Sequence, residues 1–367
     1  MKITFLMPAD DLTGGNRVVA TYARILAARG HDVLVVSNAH DPLPVRERWR
    51  AWRRPRVEDP APLPGHIALS GVPHRVLERK RPIEARDVPD GDVVIATWWE
   101  TAEWMHRLPA AKGRRVHLIQ GFEDWFGEAV TARVRAALRL PNRKIAISAA
   151  LARQVEAEAG IAGVTVIANA VDRRQFDAPP RSRNTPPVVG YIHSQAPIKG
   201  ADVAAEAVRI ARRTLPDLRV LAFGGDVPGG ATALPEGARF LHRPAQDALA
   251  SLYAACDAWL FASRRDSFGL PILEAMACGT PVIGVPVGAA PDLLPDGGGT
   301  LVTPESPAAM AAAIVALCGG PEADWRRASA RAHARAHRWS WEDATDRLLE
   351  VLGGDAAPVA TPIAEAA

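Results

Sequence analysis

This 367-residue chain lacks long hydrophobic runs and any strong excess of one charge. Its start, "MKITFLMPADD", holds only a few apolar residues before Pro8 and two aspartates. That suits a first strand and is too short for a signal peptide or a membrane span. A formal net charge of +3 is too small to argue for a nucleic-acid partner. Only three cysteines occur, Cys256, Cys278 and Cys318, in apolar surroundings without close pairing. They read as reduced core residues of a cytosolic protein, not as a disulfide or metal framework. Neither a G-x-G-x-x-G fingerprint nor a Walker sequence is present, which disfavours a nicotinamide dehydrogenase. No repeat at solenoid periods is visible.

What is present is an ordinary globular composition at a length that suits two domains. Short apolar runs ("ITFLMP", "DVLVVS", "DVVIAT", "RRVHLIQ", "KIAISA") alternate with helical stretches such as "NRVVATYARILAARG". Nearly continuous apolar strands between helices indicate a parallel sheet covered on both faces. The pattern breaks at "DAPPRSRNTPP", residues 177–187, which reads as a linker, and then restarts with "VVGYIHS", "LRVLAFGG", "ARFLH", "AWLFAS" and "PVIGVP". A last helical segment is expected from about Trp325 to Leu352, followed by an Ala/Pro-rich tail expected to be disordered. The fold class is therefore α/β: two facing Rossmann-like, doubly wound parallel-sheet domains with an interdomain cleft. The expected bounds are 1–180, 188–338, a closing helix over 339–352 and a tail over 353–367. Ligands of such sheets bind outside the carboxyl ends of the strands.

The stretch "RRDSFGLPILEAMACGTPVIG", residues 264–284, lies at one such strand end. Pro271 suits the first turn of a short helix, whose free N–H groups and dipole favour an anion, phosphate above all. Gly269 lets the backbone approach such a ligand closely. Asp266 and Glu274 flank the turn; they either cap and complement the helix, Asp266 or Ser267 as cap, or accept hydroxyls of a sugar or ribose. Gly14 and Gly15 open the first helix and serve equally as structural turn or phosphate site. Lys199, before Gly200 in the first βα loop of the second half, is either a point charge for a diphosphate or an ordinary solvated lysine.

The signature resembles that of the family 4 retaining glycosyltransferases, whose two Rossmann-like domains form the GT-B architecture. "TGGNRVV", "KIAISAALARQV", "VIANAVDRRQF", "KGADVAAEAV", "LASLYAACDAWLFAS", "GAAPDLL" and "WSWEDATDRLLEVL" match further family elements in order, over roughly residues 1–352. The resemblance implies that Glu274 binds the ribose hydroxyls of a nucleotide-diphosphate sugar and that Asp266 holds a hydroxyl of the transferred sugar. Lys199 and the N–H groups of Phe268, Gly269 and Leu270 would hold the diphosphate, with Gly15 approaching from the other domain. Asp266 and Lys199 are thus assigned to catalysis. The base is expected near His242 and Arg243. No dedicated protein base, cofactor or metal is implied, because the departing diphosphate oxygen would take the acceptor's proton. Four departures stand out. Asp266 replaces a glutamate, Tyr191 an arginine and Gln120 a histidine near the acceptor. The loop to Lys199 is also longer, which brings His193 or Ser194 toward the phosphates.

On the acceptor side, "ATWWETAEW" and "IQGFEDWFG" offer Trp98, Trp99, Trp104 and Trp125 for stacking on sugar rings, with Glu100, Glu123 or Asp124 accepting hydroxyls. The alternative is that most of these tryptophans are core residues. "DGD" at 90–92 reads as a turn before a strand, not as a metal-binding Asp-x-Asp, and no other metal-ligand spacing stands out. "VRERWRAWRRPR", residues 45–56, suits either contact with an anionic membrane bearing a lipid-linked acceptor or a solvated helix. The expected partners are a nucleotide-sugar donor and a glycan or lipid-linked acceptor, with no nucleic acid. The expected place is the cytoplasm, at or away from the inner membrane face. Two rivals remain: an epimerase or hydrolase on the same plan, and a non-catalytic sugar-nucleotide-binding partner.

Overall fold

The apolar runs become strands buried almost throughout, as in β1 (Lys2–Met7), where every residue after Lys2 is buried. The computed structural model describes residues 1–40, 64–125 and 127–354. These divide into two units, the first holding residues 1–147, 152–166 and the chain from Thr345, the second holding 148–151 and 167–344.

In chain order β1 is followed by α1 (Gly14–Ala28), β2 (Asp32–Ser37), α2 (His66–Ser70) and β3 (His74–Val76). Next come β4 (Val93–Ala96), α3 (Trp99–His106), β5 (Arg114–Ile119), α4 (Glu128–Arg139), β6 (Arg143–Ala146), α5 (Ala149–Ala159) and β7 (Thr165–Val166). The seven strands form one parallel sheet in the order β3-β2-β1-β4-β5-β6-β7. Leu6, Val36, Val94 and Ala96 from the sheet pack with Ala102, Trp104 and Met105 of α3 in its core.

The second sheet begins at β8 (Val188–Ile192) and α6 (Ala201–Ala211), then β9 (Arg219–Gly224), β10 (Arg239–His242), α7 (Leu249–Ala254) and β11 (Ala258–Phe261). It continues with α8 (Leu270–Ala277), β12 (Val282–Gly284), α9 (Ala290–Leu293), β13 (Gly299–Leu301), α10 (Pro307–Gly319), α11 (Glu322–Ala336) and α12 (Trp341–Gly353). Its six strands are again parallel, in the order β10-β9-β8-β11-β12-β13. Each sheet therefore reverses its winding once, between β1 and β4 and between β8 and β11, and ligands of open α/β sheets bind at such switch points.

Two expectations are refined. Residues 177–187 form no regular element, yet they are fastened within the second unit by the fully buried Asp257. That carboxylate pairs with Arg181 at 2.8 Å and accepts the N–H groups of Asn184 and Val188 at 3.0 and 2.7 Å. The C-terminal helical segment is two helices, α11 and α12, broken at His337–Ser340. The three cysteines are free and buried, and burial pushes the Cys278 and Cys318 thiols up to about 12. Residues 45–56 and the tail beyond 354 lie outside the described residues. Among the described residues no helix is long and apolar enough to cross a membrane.

Candidate functional site

The loops after β8 and β11 flank the second switch point, and they bring Lys199 and Asp266 together. Lys199 Nζ lies 2.9 Å from Asp266 Oδ2, although the residues are 67 positions apart. Gly200 makes this approach possible: it sits at φ +63°, and a Cβ there would lie 2.0 Å from the Ala262 carbonyl oxygen. Both partners retain solvent exposure, so the pair itself contributes only about 0–1 kcal/mol. Its other property matters more. A cation and a carboxylate held at a strand end can separate to receive an anion and a hydroxyl.

The opening turn of α8 lies beside them. Gly269 precedes the helix at φ +91°, in the left-handed region that favours glycine, and Pro271 occupies the first turn. The N–H groups of Gly269 and Leu270 fall among the first-turn donors that a helix does not satisfy internally. Phe268 behaves differently from expectation: its N–H donates to Asp266 Oδ1 at 3.2 Å, closing a local turn. Asp266 therefore shapes its own loop through Oδ1 and faces Lys199 through Oδ2. Ser267 is half-buried in the same loop.

Glu274 points inward from α8 and is buried. Its Oε2 accepts the Tyr253 hydroxyl at 2.6 Å. Tyr253 is itself enclosed by Trp259, Phe223 and Phe176, with ring centroids at 4.5, 5.6 and 6.0 Å. A carboxylate taken out of water needs such a donor, and the aromatic packing fixes where that donor stands. In the sequence, nothing beyond its place on an apolar helix marks Tyr253.

His193 follows β8 and is buried, with neither ring nitrogen hydrogen-bonded. Its ring edge meets Phe240 at 5.5 Å, and burial lowers its pKa, so the imidazole is held neutral. A buried neutral imidazole without partners is suited to receive a ligand hydrogen bond. Ser194 is engaged otherwise: its hydroxyl donates to Asp226 Oδ2 at 2.8 Å, beside the Gln195 N–H at 2.9 Å. These two bonds hold the Asp226 carboxyl below its usual range, the backbone one contributing more. His242 ends β10 and Arg243 follows it, and both are exposed. His242 Nε2 is 3.0 Å from the Gly225 carbonyl, and Arg243 adopts φ +46°, an uncommon conformation for a non-glycine residue. Tyr191 is buried in β8 with an unpartnered hydroxyl, and burial raises its pKa.

In the first unit, Gly14 and Gly15 open α1 after β1, at that sheet's own switch point. A Cβ on Gly15 would come to 3.4 Å from Gln120 Oε1, an atom that is buried and unpaired. The loop before α1 is held by carboxylates. Asp10 accepts the N–H groups of Ile67 and Ala68 at 3.1 and 3.0 Å, and Asp11 accepts that of Thr13 at 2.8 Å. The tryptophans divide. Trp104 belongs to the core, Trp99 is buried beneath the Arg133 guanidinium at 4.5 Å, and Trp125 is 55% exposed, 6.2 Å from Trp98. Glu123 is buried. Asp90 pairs with Lys112 and Asp92 accepts the Lys2 N–H, so both carboxylates of "DGD" are engaged just before β4.

Comparison with known proteins gives two family models in succession. One described as glycosyltransferase family 4 matches residues 12–175, and one described as glycosyl transferases group 1 matches residues 186–319. A D-inositol 3-phosphate glycosyltransferase of Mycobacterium tuberculosis (strain H37Rv) is 37% identical over 180 residues, covering 44% of this chain and 36% of that protein. The match thus spans about a third of that relative's length. Among solved structures, Anabaena HepE in complex with UDP-glucose superposes with a TM-score of 0.73 at 20% identity, covering 96% of this chain and 100% of that one. A sucrose-phosphate synthase from Thermosynechococcus elongatus gives 0.71 at 20%, covering 96% and 99%. At that identity the likeness shows the fold, which is GT-B.

Proposed function

Because the chain belongs to the family 4, group 1 glycosyltransferases, we propose that it moves a sugar from a nucleotide-diphosphate sugar to a hydroxyl of a glycan, lipid-linked or small-molecule acceptor, with retention of anomeric configuration. The observation that carries this reading is the meeting of Lys199 and Asp266 at 2.9 Å beside the glycine-opened helix that holds the buried Glu274. A relative acting on an inositol phosphate and a neighbour holding UDP-glucose support it.

In this account the diphosphate displaces Asp266 from Lys199 and lies against the N–H groups of Gly269 and Leu270. Asp266 turns to a hydroxyl of the transferred sugar, and Glu274, held by Tyr253, accepts the ribose hydroxyls. His193 donates to a phosphate oxygen from its buried position. The chemistry asked of the protein is electrostatic. Charge builds on the departing diphosphate as the anomeric carbon becomes cationic, and each preorganised donor aimed at it is worth about 10²–10³ in rate. The leaving oxygen takes the acceptor's proton, so neither a protein base nor a metal ion is required. If the acceptor is lipid-linked, the arginine- and tryptophan-bearing stretch 45–56 meets the anionic membrane surface.

The test is to incubate the full chain with UDP-, GDP-, ADP- and dTDP-sugars, with and without pooled hydroxyl acceptors, and to follow products by NMR. Acceptor-dependent formation of a glycoside with the donor's anomeric configuration supports the proposal. An inverted product contradicts retention. Free sugar released without acceptor points to the hydrolytic rival. Donor binding without turnover points to a non-catalytic partner.

A further inference from the structure

A second cluster in the second unit uses none of the residues assigned above. His333 lies in the last turn of α11 and His337 directly follows that helix, so their four-residue spacing puts both rings on one face. The rings stack with centroids 4.1 Å apart. Asp177, 156 positions earlier, places Oδ1 2.9 Å from His333 Nε2. One ligand-capable atom from each of Asp177, His333 and His337 lies within 4.8 Å of the other two.

The second contacts of these rings are equally telling. His337 Nδ1 is 2.8 Å from the His333 carbonyl oxygen. A carbonyl can only accept, so Nδ1 carries the proton and Nε2 keeps its lone pair. Fixing the tautomer by such a bond is how proteins orient metal-binding histidines. Two imidazoles and one carboxylate form a donor set that zinc prefers, completed by water in the fourth position. Zn–N bonds of about 2.0 Å set tetrahedral ligand atoms about 3.3 Å apart, so the present spacing closes by side-chain rotation. The His333 and Asp177 side chains, 39% and 61% exposed, are free to make that movement. Both also line a cavity of about 790 Å³, which leaves room for coordinated water.

We propose that Asp177, His333 and His337 form a zinc(II) site that fastens the segment beginning at Asp177 to α11. The ion inserts into the existing Asp177–His333 contact, the His333 Nε2 proton is released to solvent, and two metal bonds replace one hydrogen bond. It takes no part in sugar transfer, and the site stands or falls independently of the proposed activity. The His-x₃-His spacing is present in the sequence, but nothing local marks Asp177 as its partner.

The experiment uses the full chain, stripped with EDTA and titrated with zinc chloride by calorimetry, with cobalt(II) as an optical probe of coordination. The expected result is one ion per chain, a tetrahedral cobalt spectrum and a rise in melting temperature with zinc. Affinity should fall at least ~10-fold in each of H333Q, H337Q and D177N. Circular dichroism without metal checks that each variant folds; where one does not, the other two decide. Absence of stoichiometric binding overturns the proposal, as does binding that H337Q and D177N leave unchanged.

Discussion

Removing one oxygen atom, by Tyr253→Phe, probes the account of Glu274 at its most exposed point. The two side chains are buried, and their 2.6 Å hydrogen bond joins a phenol to a carboxylate. Phenylalanine keeps the aromatic packing on Trp259, Phe223 and Phe176, so no sizeable cavity forms. What is lost is a hydrogen bond to a charged group, worth about 1.5–3 kcal/mol. For a unit of this size that lowers the melting temperature by about 3–12 °C. If the bond also aims Glu274 at the ribose, nucleotide affinity falls by up to about 100-fold, the same energy expressed in binding. The assay is a double-mutant cycle with Glu274→Gln, whose amide still fits but carries no charge, read by calorimetric titration with the preferred nucleoside diphosphate. The expected coupling is about 1 kcal/mol or more, with Tyr253→Phe costing little once Glu274 is gone. Additive losses within about 0.5 kcal/mol would refute the idea that Tyr253 acts through Glu274.

Lys199→Ala should change thermal stability by no more than ~1 kcal/mol, because its pair with Asp266 is partly exposed. The same variant should lower turnover by about 10²–10³, so melting and kinetics together separate structural from catalytic roles. Gly200→Ala should destabilise by ~2 kcal/mol or more in denaturant titration, since the left-handed backbone alone costs about 1–2 kcal/mol. The added Cβ would also meet the Ala262 carbonyl oxygen at 2.0 Å, and backbone cannot yield cheaply. Burial depresses the His117 pKa to about 3, so the folded state holds this imidazole neutral while the unfolded state protonates near 6.5. Its contribution is fully present above about pH 6.5 and is lost as pH falls toward about 3. His117→Gln should therefore flatten the acid limb of stability measured between pH 7 and pH 4; an unchanged slope would contradict this.

Strands and helices were legible where burial on both faces demands unbroken apolar runs, as in β1 and β4, and where glycine and proline punctuate, as at Gly269 and Pro271. Lys199, Asp266 and Glu274 could be picked out because the stretches around them resemble a family signature; the residues alone left a cap, a dipole complement or a solvated lysine open. The residues that hold the surrounding loops could not. Tyr253, Asp226 and Asp257 act through bonds made by the tertiary fold, and a tyrosine or aspartate that makes such a bond looks locally like any other. Ser194 illustrates the same limit: its hydroxyl answers to Asp226. The tryptophans separate into core (Trp99, Trp104) and surface (Trp125) only through packing that spacing on a short helix does not encode. The closing helix expected over 339–352 starts at Trp341, where the Ser340 hydroxyl and the Asp343 carboxylate cap a fresh start after the helix ending at Ala336.

The central claim is that the β8 and β11 loops bind the diphosphate of a nucleotide sugar. It is tested most directly by thermal stabilisation with UDP, GDP, ADP and dTDP, each in the presence of EDTA, on the wild-type chain and on Lys199→Ala and Glu274→Gln. The account predicts that one diphosphate raises the melting temperature without metal and that both substitutions abolish or sharply reduce the rise. No rise with any nucleoside diphosphate, or an equal rise in the substituted chains, would contradict it.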